Sequence, residues 1–352
     1  MGISTDIRNN VLIRWLVQLT ETDYAGQIDF IGLTGSCAAG KEDEYSDLDL
    51  VIIANENAEK TIGECFLVDW DGIRIGYDFY TMSWKRVENM AGTTWASHIA
   101  DVVPLWYADD IVKNRWMELV KRQQEIMAQP LSEKQIHTAE ESLKQAKQLL
   151  ADIFLTEEIL WAKDRLTGMM LMLTDVICVL NNTYYKYGIK DRIAEIEQME
   201  TPDNFMQLWH EAMDAERMEE IRIVAVSACR VTEQFWKDKK ETVMALKMEE
   251  LRRDPGTVDG WYEEFFSNYK NKVVRLLEQN DREMACLVSF CAQNFLEELE
   301  ANTGMPMPVL YRDLDVKNLK KLAQGFERVE QEILAEYHAR GLEADLRDYK
   351  KL

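Results

Sequence analysis

Three aspartates close to two apolar segments have the residue type and spacing to hold divalent metal ions. Asp47 and Asp49 lie two residues apart at the start of the predicted strand Leu48–Ala54, so their side chains project from one face. Asp78 lies inside a second predicted strand, Ile73–Met82. Carboxylates on apolar strands are costly unless cations neutralise them. Together they could hold one or two Mg²⁺ ions, an arrangement that supports displacement at phosphorus.

A glycine–serine pair supplies a second part of such a site. Gly35 and Ser36 follow the predicted strand Gln27–Leu33 at a tight turn, where the backbone could approach a phosphate closely. The Ser36 hydroxyl and the neighbouring amides would be the donors. Ten residues separate Ser36 from Asp47. The pattern indicates a phosphate-binding turn beside the carboxylates.

The same segment also fits the spacing of a P-loop, because four residues separate Gly35 from Gly40 and Lys41. However, Glu42 follows, where that motif has Ser or Thr to hold Mg²⁺. Only residues 42–47 separate Lys41 from the next strand, so no helix can follow to direct its amino terminus at a nucleotide. The P-loop interpretation fails, and Lys41 either contacts a phosphate or offsets its acidic neighbours.

Each part of the pattern also has an ordinary structural interpretation. An Asp-x-Asp at a strand end is mostly solvated surface, Gly-Ser is often only a turn, and Asp78 alone could protect a sheet edge. The joint order of strand, Gly-Ser, ten-residue loop, Asp-Leu-Asp and strand aspartate is more specific than any part. It favours a metal-dependent site over solvated surface.

The elements that position these residues form a small mixed-sheet domain. A helix predicted over Asp6–Leu19 opens it. The dipeptide Asp71-Gly72 joins the predicted strand Glu64–Trp70 to the strand after it as a two-residue hairpin. A fifth run, Ala100–Tyr107, contains a proline that confines it to a sheet edge.

From about residue 111 the apolar periodicity is helical almost throughout. The predicted helices are Lys113–Ala128, Ser132–Leu155, Ile159–Tyr187, Asp191–Met199, Asp203–Lys239, Trp261–Glu278, Met284–Leu299 and Val316–Gly341. Ser132 and Asp203 are the predicted N-caps. An all-α bundle after a mixed sheet makes the chain α+β, with domains at 1–128 and 129–352 and a further division open near 240–260.

Composition excludes several partner classes. Lys and Arg number 41 against 63 Asp and Glu, a formal charge of −22 that repels nucleic acid and anionic lipid and favours cationic small molecules. Six cysteines without a CxxC pair and only four histidines argue against zinc and suit a reducing cytoplasm. The longest apolar stretch, Leu166–Leu180, is shorter than a bilayer requires and contains Asp175, so no membrane span is expected. The start MGISTDIRNN carries charge and has no apolar region before Val11, so no signal peptide is expected.

The order of Gly35-Ser36, ten residues, Asp47-Leu48-Asp49 and a later strand aspartate, Asp78, resembles the polymerase-beta-like nucleotidyltransferase superfamily. Within it the chain is similar to bacterial aminoglycoside and other antibiotic nucleotidyltransferases, in which a small catalytic domain precedes a helical substrate-binding domain. The motif match covers about residues 28–82. The order of the two domains agrees over the rest, without a motif of comparable strength.

The resemblance implies transfer of a nucleoside monophosphate, AMP in the first instance, from a Mg²⁺-bound NTP to a hydroxyl, with release of pyrophosphate. Gly35 and Ser36 would then bind the triphosphate. Asp47, Asp49 and Asp78 would be the catalytic carboxylates and the ligands of two Mg²⁺ ions. The third acid would also help to deprotonate the acceptor hydroxyl. An antibiotic-resistance role in the cytoplasm follows from the same resemblance.

The stretch after the long apolar helix resembles an asparagine–tyrosine–basic segment of these enzymes, whose lysine reaches the triphosphate. Lys186 and Lys190 are the candidates here. An equally good interpretation is a helix carboxyl terminus that carries cations and is capped by Gly188. Asp175 is either a functional acid or a hydrogen-bonded core residue. Further candidates for a general base are Glu140, Glu141, Glu157, Glu158 and Asp164, for which solvation or a local ion pair is the alternative.

Three function classes remain open at this stage. The first is a nucleotidyltransferase acting on a small acceptor, for which the net charge suits a polycation such as an aminoglycoside. The second is a nucleotidyltransferase that modifies a protein or RNA, although the sequence has no basic patch for RNA. The third is a nucleotide-sensing protein without turnover. A homodimer that completes the cleft is a further open alternative.

Overall fold

Alternating apolar and polar residues in the first third of the chain form the predicted mixed sheet. In the computed structural model, residues 5–58, 61–187, 191–306, 308–315 and 317–347 are described. The strands are β1 (Ile28–Leu33), β2 (Leu50–Ala54), β3 (Gly63–Trp70), β4 (Ile73–Met82) and β5 (Val103–Tyr107), in the order β3-β4-β2-β1-β5. The β2–β4 pair is parallel, and the other pairs are antiparallel. The α+β prediction is confirmed.

Two local features of the sheet agree with the sequence predictions, the hairpin turn and the proline in an edge strand. Asp71 and Gly72 both have positive φ, 53° and 95°, and they connect β3 to β4 as a two-residue turn. The Gly72 amide donates to Asp69 Oδ1 at 2.8 Å. Pro104 lies in β5, which is an edge strand. Asp78, by contrast, lies in an interior strand, so protection of a sheet edge does not explain it.

Helices cover both faces of the sheet and divide its core into two clusters. On one face, helix α1 (Thr5–Glu21) packs through Leu12 and Leu16 against a cluster that includes Tyr77 of β4. On the other face, Val51 and Ile53 of β2 pack in a second cluster. Three short helices were not predicted: α2 (Gly35–Ala38), α3 (Trp84–Asn89) and α4 (Ser97–Ala100).

The rest of the described chain is helical, as its periodicity predicted. Its helices are α5 (Asp110–Ala128), α6 (Glu133–Leu155), α7 (Ile159–Leu180), α8 (Arg192–Ile196), α9 (Phe205–Asp214), α10 (Met218–Arg253), α11 (Trp261–Phe265), α12 (Asn271–Gln279), α13 (Arg282–Thr303) and α14 (Leu319–Ala339). A π-helical turn, Phe266–Lys270, joins α11 to α12. Ser132 caps α6 in a capping box with Gln135, which confirms that N-cap.

Two predicted helices end earlier than their apolar pattern suggests. The helix predicted to reach Tyr187 ends at Leu180, because Asn182 adopts the left-handed conformation with φ 50°. Gly188, its predicted cap, lies outside the described residues. The helix predicted over Asp203–Lys239 is two helices, α9 and α10, with extended backbone between them. Asn204, in the left-handed conformation, holds the N-cap position predicted for Asp203.

The chain divides into two compact units, residues 1–241 and 242–352. The first unit contains the whole sheet and α1 to α9. The predicted boundary between residues 128 and 129 lies inside it, between α5 and α6. The second unit is helical and has its own core, which includes Phe265, Leu296 and Phe326. No helix in the described part of the chain is long and apolar enough to cross a membrane.

Candidate active site

The pairing of β2 with β4 relates Asp49 to Asp78. Ile52 pairs with Thr81 and Ile53 with Met82, so paired residues differ by 29 in number. Asp49 directly precedes β2 and also differs from Asp78 by 29, so the two would be partners if the register continued three residues beyond the observed pairs. Paired residues of neighbouring strands project to the same face. Both aspartates therefore belong to one face of the sheet.

The core clusters identify that face independently. Leu48 and Tyr77 belong to the cluster under α1, and each is adjacent in sequence to one of the aspartates. Because successive side chains alternate between faces, Asp49 and Asp78 project away from α1. Val51, two residues after Asp49, packs in the cluster on that opposite face. Both acids thus belong to the sheet face opposite α1, and their role as catalytic carboxylates stays a prediction.

Gly35 lies against the Asp49 carboxylate. The Thr34 amide donates to the Asp49 carbonyl at 3.0 Å, which joins the end of β1 to the segment ahead of β2. Gly35 has φ +66°, a conformation that favours glycine. A Cβ atom added here would overlap the Asp49 carboxylate. Only glycine therefore allows the turn and this carboxylate to approach so closely.

Ser36 lies in the single-turn helix α2, where a simple turn was expected. The Ala39 amide donates to the Gly35 carbonyl at 3.2 Å, and the Lys41 amide donates to the Ser36 carbonyl at 2.9 Å. These bonds hold residues 35–41 in a compact loop that begins directly after β1. The loop is consistent with the phosphate-binding turn predicted for Gly35 and Ser36, a role that stays a prediction.

Asp47 is held through its backbone rather than through its side chain. The Cys37 thiol donates to the Asp47 carbonyl at 3.3 Å, and Asn9 Nδ2 donates to the Cys37 sulfur at 3.3 Å. Burial raises the pKa of the Cys37 thiol, and the Asn9 hydrogen bond opposes that rise. The pKa of Tyr77 is raised mainly by burial and also by the negative charge of Asp47. Asp47 is exposed at the end of this chain of contacts.

Only two of the three predicted metal ligands are thus related by strand register. Among the described residues, no group of three or more His, Cys, Asp or Glu side chains lies close enough together to hold a metal ion. The available donors are carboxylate oxygens, the ligand type that Mg²⁺ prefers. Close approach of the Asp49 carboxylate to the Gly35 turn also suits a metal–phosphate complex. The donor chemistry fits Mg²⁺, and assembly of the three ligands stays a prediction.

Lys41 contacts the helical part of the first unit. Its ammonium group lies 3.4 Å from Asp191 Oδ2 and 3.4 Å from the centre of the Tyr187 ring. The ion pair that the structure describes for Lys41 is with Asp191, and the two roles expected for Lys41 stay predictions. A pocket of about 430 Å³ is lined by Lys41, Lys186 and eight further residues. Lys190 lies outside the described residues.

The other predicted acids mostly form local ion pairs. Glu140 and Glu141 both pair with Lys144, and Asp164 pairs with Arg165 at 2.7 Å. Glu157 pairs with Arg222 at 3.2 Å. Asp175 differs from these acids. It pairs with Arg192 at 3.2 Å, its side chain is 18% exposed, and burial raises its pKa although Arg192 opposes the rise.

Sequence reasoning missed an open pocket of about 640 Å³ in the first unit. Asp175 lines it, together with His98 from α4, Ser142 and Gln145 from α6, and residues of the segment that begins at Met82. These residues are more than 90 positions apart at the extremes and share no motif. No local sequence signal could have grouped them.

Comparisons with known proteins give a family match over the part of the chain that contains the sheet. Residues 13–161, about two fifths of the chain, match the family of the nucleotidyltransferase domain. No curated protein matched the chain. Similar solved structures include a nucleotidyltransferase-like protein from Exiguobacterium sibiricum, with 11% identity, a TM-score of 0.38, and coverage of 68% of this chain and 79% of that one. Residues 13–161 are accordingly a nucleotidyltransferase domain, and the chain that contains them is a transferase.

Proposed function

We propose that this enzyme transfers a nucleoside monophosphate, AMP in the first instance, from an NTP to a hydroxyl of a small acceptor and releases pyrophosphate. The domain match supports nucleotidyl transfer in general. The specific proposal rests on one observation, the parallel register that relates Asp49 to Asp78 on the sheet face beside Gly35.

Asp49 and Asp78, with Asp47, would hold Mg²⁺ in this proposal. When bound, the metal would neutralise charge on the phosphates and on the leaving pyrophosphate. The Gly35–Ser36 loop would bind the triphosphate through amides and the Ser36 hydroxyl. Lys186 and Lys190 are further candidates for the triphosphate, from the resemblance alone.

The reaction balances without any other reactant. The acceptor oxygen forms a bond to the α-phosphorus, and the bond from that phosphorus to the bridging oxygen breaks. The electron pair leaves with pyrophosphate, and the hydroxyl proton passes to a base. Asp78 is the carboxylate that we assign to this step, because a base must lie within hydrogen-bond reach of the reacting hydroxyl.

In this proposal the acceptor class is inferred from the net charge of the chain alone. A chain with formal charge −22 repels polyanions, which favours a small neutral or cationic acceptor over RNA. If the acceptor is cationic, we propose an aminoglycoside. The enzyme would then have a role in antibiotic resistance in the cytoplasm.

The test is pyrophosphate release and radiolabel transfer from each of the four NTPs, with and without Mg²⁺, over a panel of hydroxylated acceptors. We expect Mg²⁺-dependent release with one acceptor class. Transfer to protein or RNA alone would replace the small-acceptor proposal. Intact NTP binding without release for any acceptor would refute catalysis and leave nucleotide sensing. Light scattering of the same samples measures whether a homodimer forms.

A further inference from the structure

The pocket of about 640 Å³ lies on the same face of the sheet as the proposed catalytic acids. Met82 lines it, and Met82 and Asp78 are four residues apart on β4, so both project to one face. At about 3.3 Å per residue the two positions are about 13 Å apart along the strand. A molecule seated in the pocket and longer than a single sugar ring could therefore reach Asp78.

The pocket is polar without an excess of charge. Of the described residues that line it, seven have uncharged polar side chains, four are apolar, and the two charged ones are Arg86 and Asp175. The Asp175 carboxylate is already paired with Arg192 at 3.2 Å. A cationic ligand would meet a compensated carboxylate and the positive charge of Arg86. The lining therefore does not favour a polycation.

Four polar side chains of the lining have hydrogen-bonding capacity left over. Among the residues that the structure describes, Asn89, Thr94, Ser142 and Gln145 make no side-chain hydrogen bond. Hydroxyl and amide groups both donate and accept, so each can pair with a ligand hydroxyl. A ligand rich in hydroxyls or amides would satisfy them together, whereas an apolar ligand would leave them unpaired in the complex.

His98 and Trp95 complete this chemistry. His98 Nδ1 is buried and has no partner among the described residues. Burial lowers the pKa of His98 below its ordinary 6.5, a backbone hydrogen bond to Trp95 opposes this fall, and Arg86 adds to it. The neutral ring therefore predominates at pH 7 and can exchange hydrogen bonds with an uncharged group. Trp95 is 59% exposed beside it and offers an apolar ring surface. Flat apolar surface next to hydroxyl and amide groups suits the two kinds of surface on a sugar.

We infer that this pocket binds the acceptor, and that the acceptor is an uncharged, hydroxyl-rich molecule of the oligosaccharide or glycoside class, longer than one ring. That the bound molecule is the acceptor rests on the proposed function. That the pocket binds such a molecule does not depend on the proposed function. The net charge of the whole chain favours a cationic acceptor. The residues that line this pocket carry no excess negative charge, so they favour an uncharged acceptor instead.

The test uses three β-1,4-linked trimers with one skeleton: cellotriose, triacetylchitotriose and the triamine chitotriose. Calorimetry at pH 6 measures their dissociation constants with the full chain. We expect the two uncharged trimers to bind at least about 10-fold more tightly than the cationic trimer. Equal or tighter binding of chitotriose, or no binding of either uncharged trimer, would overturn the inference.

Variants locate the binding. Gln145→Leu and Thr94→Val should each weaken binding of the uncharged trimers by about 3- to 10-fold, the effect of one lost hydrogen bond. Gln148→Leu is the matched control, because Gln148 is exposed on the same helix α6 and does not line the pocket. Unchanged binding in both pocket variants would overturn the assignment of the site.

Transfer assays separate this inference from the proposed function. Asp49→Asn should lower kcat/KM for transfer on the order of 1,000-fold and retain trimer binding. If the wild-type chain binds the uncharged trimers but transfers nothing to any acceptor, the proposed function fails, and the pocket is a binding site for a different purpose. If transfer occurs and its KM for the acceptor is the same in Gln145→Leu, Thr94→Val and wild type, the pocket is not the acceptor site.

Discussion

Asp49 and Asp78 on the sheet differ from Asp175 in helix α7 in what holds them in position. The sheet acids are positioned by the main chain, through the Thr34–Asp49 hydrogen bond and the parallel register. Asp175 is positioned by its own carboxylate, which is partly buried and bound to Arg192. Main-chain positioning does not depend on side-chain charge, whereas the position of Asp175 does. Neutralising Asp49 or Asp78 should therefore change the rate of the reaction, and disturbing the Asp175–Arg192 pair should change the stability of the protein.

The largest effect is expected from removing either sheet carboxylate. Asp49→Asn and Asp78→Asn should each lower kcat/KM for nucleotidyl transfer on the order of 1,000-fold, because each removes charge that would hold the metal–phosphate complex. Their melting temperatures should stay close to wild type. Steady-state kinetics and thermal unfolding of the same preparations measure both quantities.

The double variant and a control sharpen that prediction. Residues that act as one unit are not additive, so Asp49→Asn with Asp78→Asn should lose little more activity than either alone. Asp152→Asn, an exposed aspartate of α6, should keep full activity. A fully additive loss in the double variant would show that the two acids do not act together.

A second comparison isolates the contact between Gly35 and Asp49. Gly35→Ala and Gly40→Ala have the same backbone strain, since φ is +66° and +65°, and each should lose about 1 kcal/mol of stability. The Cβ of Gly35→Ala also meets the Asp49 carboxylate, whereas nothing lies within 4 Å at Gly40. Gly35→Ala should therefore lose roughly 10- to 100-fold in kcat while Gly40→Ala keeps its activity. Equal kinetics in the two variants would contradict the proposed role of this contact.

Disturbing the Asp175–Arg192 ion pair should change stability rather than catalysis, and the change should depend on pH. Burial raises the pKa of Asp175 above the ordinary 3.8. The folded state therefore keeps its proton to a higher pH than the unfolded state, and this group lowers the free energy of unfolding as the pH rises above 3.8. Arg192 offsets part of that loss. Arg192→Met should cost about 1–3 kcal/mol at pH 7, because both partners are partly buried, and less at pH 4.

Urea unfolding of wild type and Arg192→Met between pH 4 and 7 measures this dependence. Asp175→Asn is the companion variant, in which the pH-dependent contribution of Asp175 is absent. Its stability relative to wild type should increase as the pH rises through this range. A constant difference would mean that burial and Arg192 balance at this carboxylate.

The smallest effect is expected at Lys41, whose contacts with Asp191 and Tyr187 are exposed. The Lys41 and Asp191 side chains are 50% and 44% exposed, so solvent and salt screen the pair. Lys41→Met should cost less than about 1 kcal/mol at low salt. Urea unfolding at 0.05 M and 1 M NaCl tests it, and we expect the difference to shrink at high salt. A difference that persists in 1 M NaCl would indicate packing rather than charge.

Local signals in the sequence predicted the sheet well and the helix ends less well. The strands and the Asp71-Gly72 hairpin follow from period-two alternation and from residues in direct succession. The end of α7 does not, because Asn182 Nδ2 donates to the Gln129 carbonyl at 2.8 Å, a partner 53 residues away. Apolar periodicity alone cannot reveal a contact of that range.

The same distinction applies to the site. The sequence indicated Gly35, Asp49 and Asp78 as candidates because each lies in or next to a predicted strand, at β1, β2 and β4. It could not supply the register that relates the two acids, since pairing of β2 with β4 joins segments 29 residues apart. It also missed the pocket, whose lining comes from β4, from α3, α4 and the segment between them, and from α6 and α7, and has no common pattern.

Cys37 has a practical consequence for work on this enzyme. Its thiol donates to the Asp47 carbonyl, and its raised pKa keeps it protonated at neutral pH, whereas alkylating reagents react with thiolates. Cys65, Cys286 and Cys291 are exposed. Maleimide dyes should therefore label these surface positions first. Cys286 and Cys291 lie in the second unit, whereas Cys65 pairs with Asp78 between β3 and β4, so a dye at Cys65 should lower catalysis. Single-molecule studies of turnover with a dye at Cys286 or Cys291 should therefore use a Cys65→Ser variant.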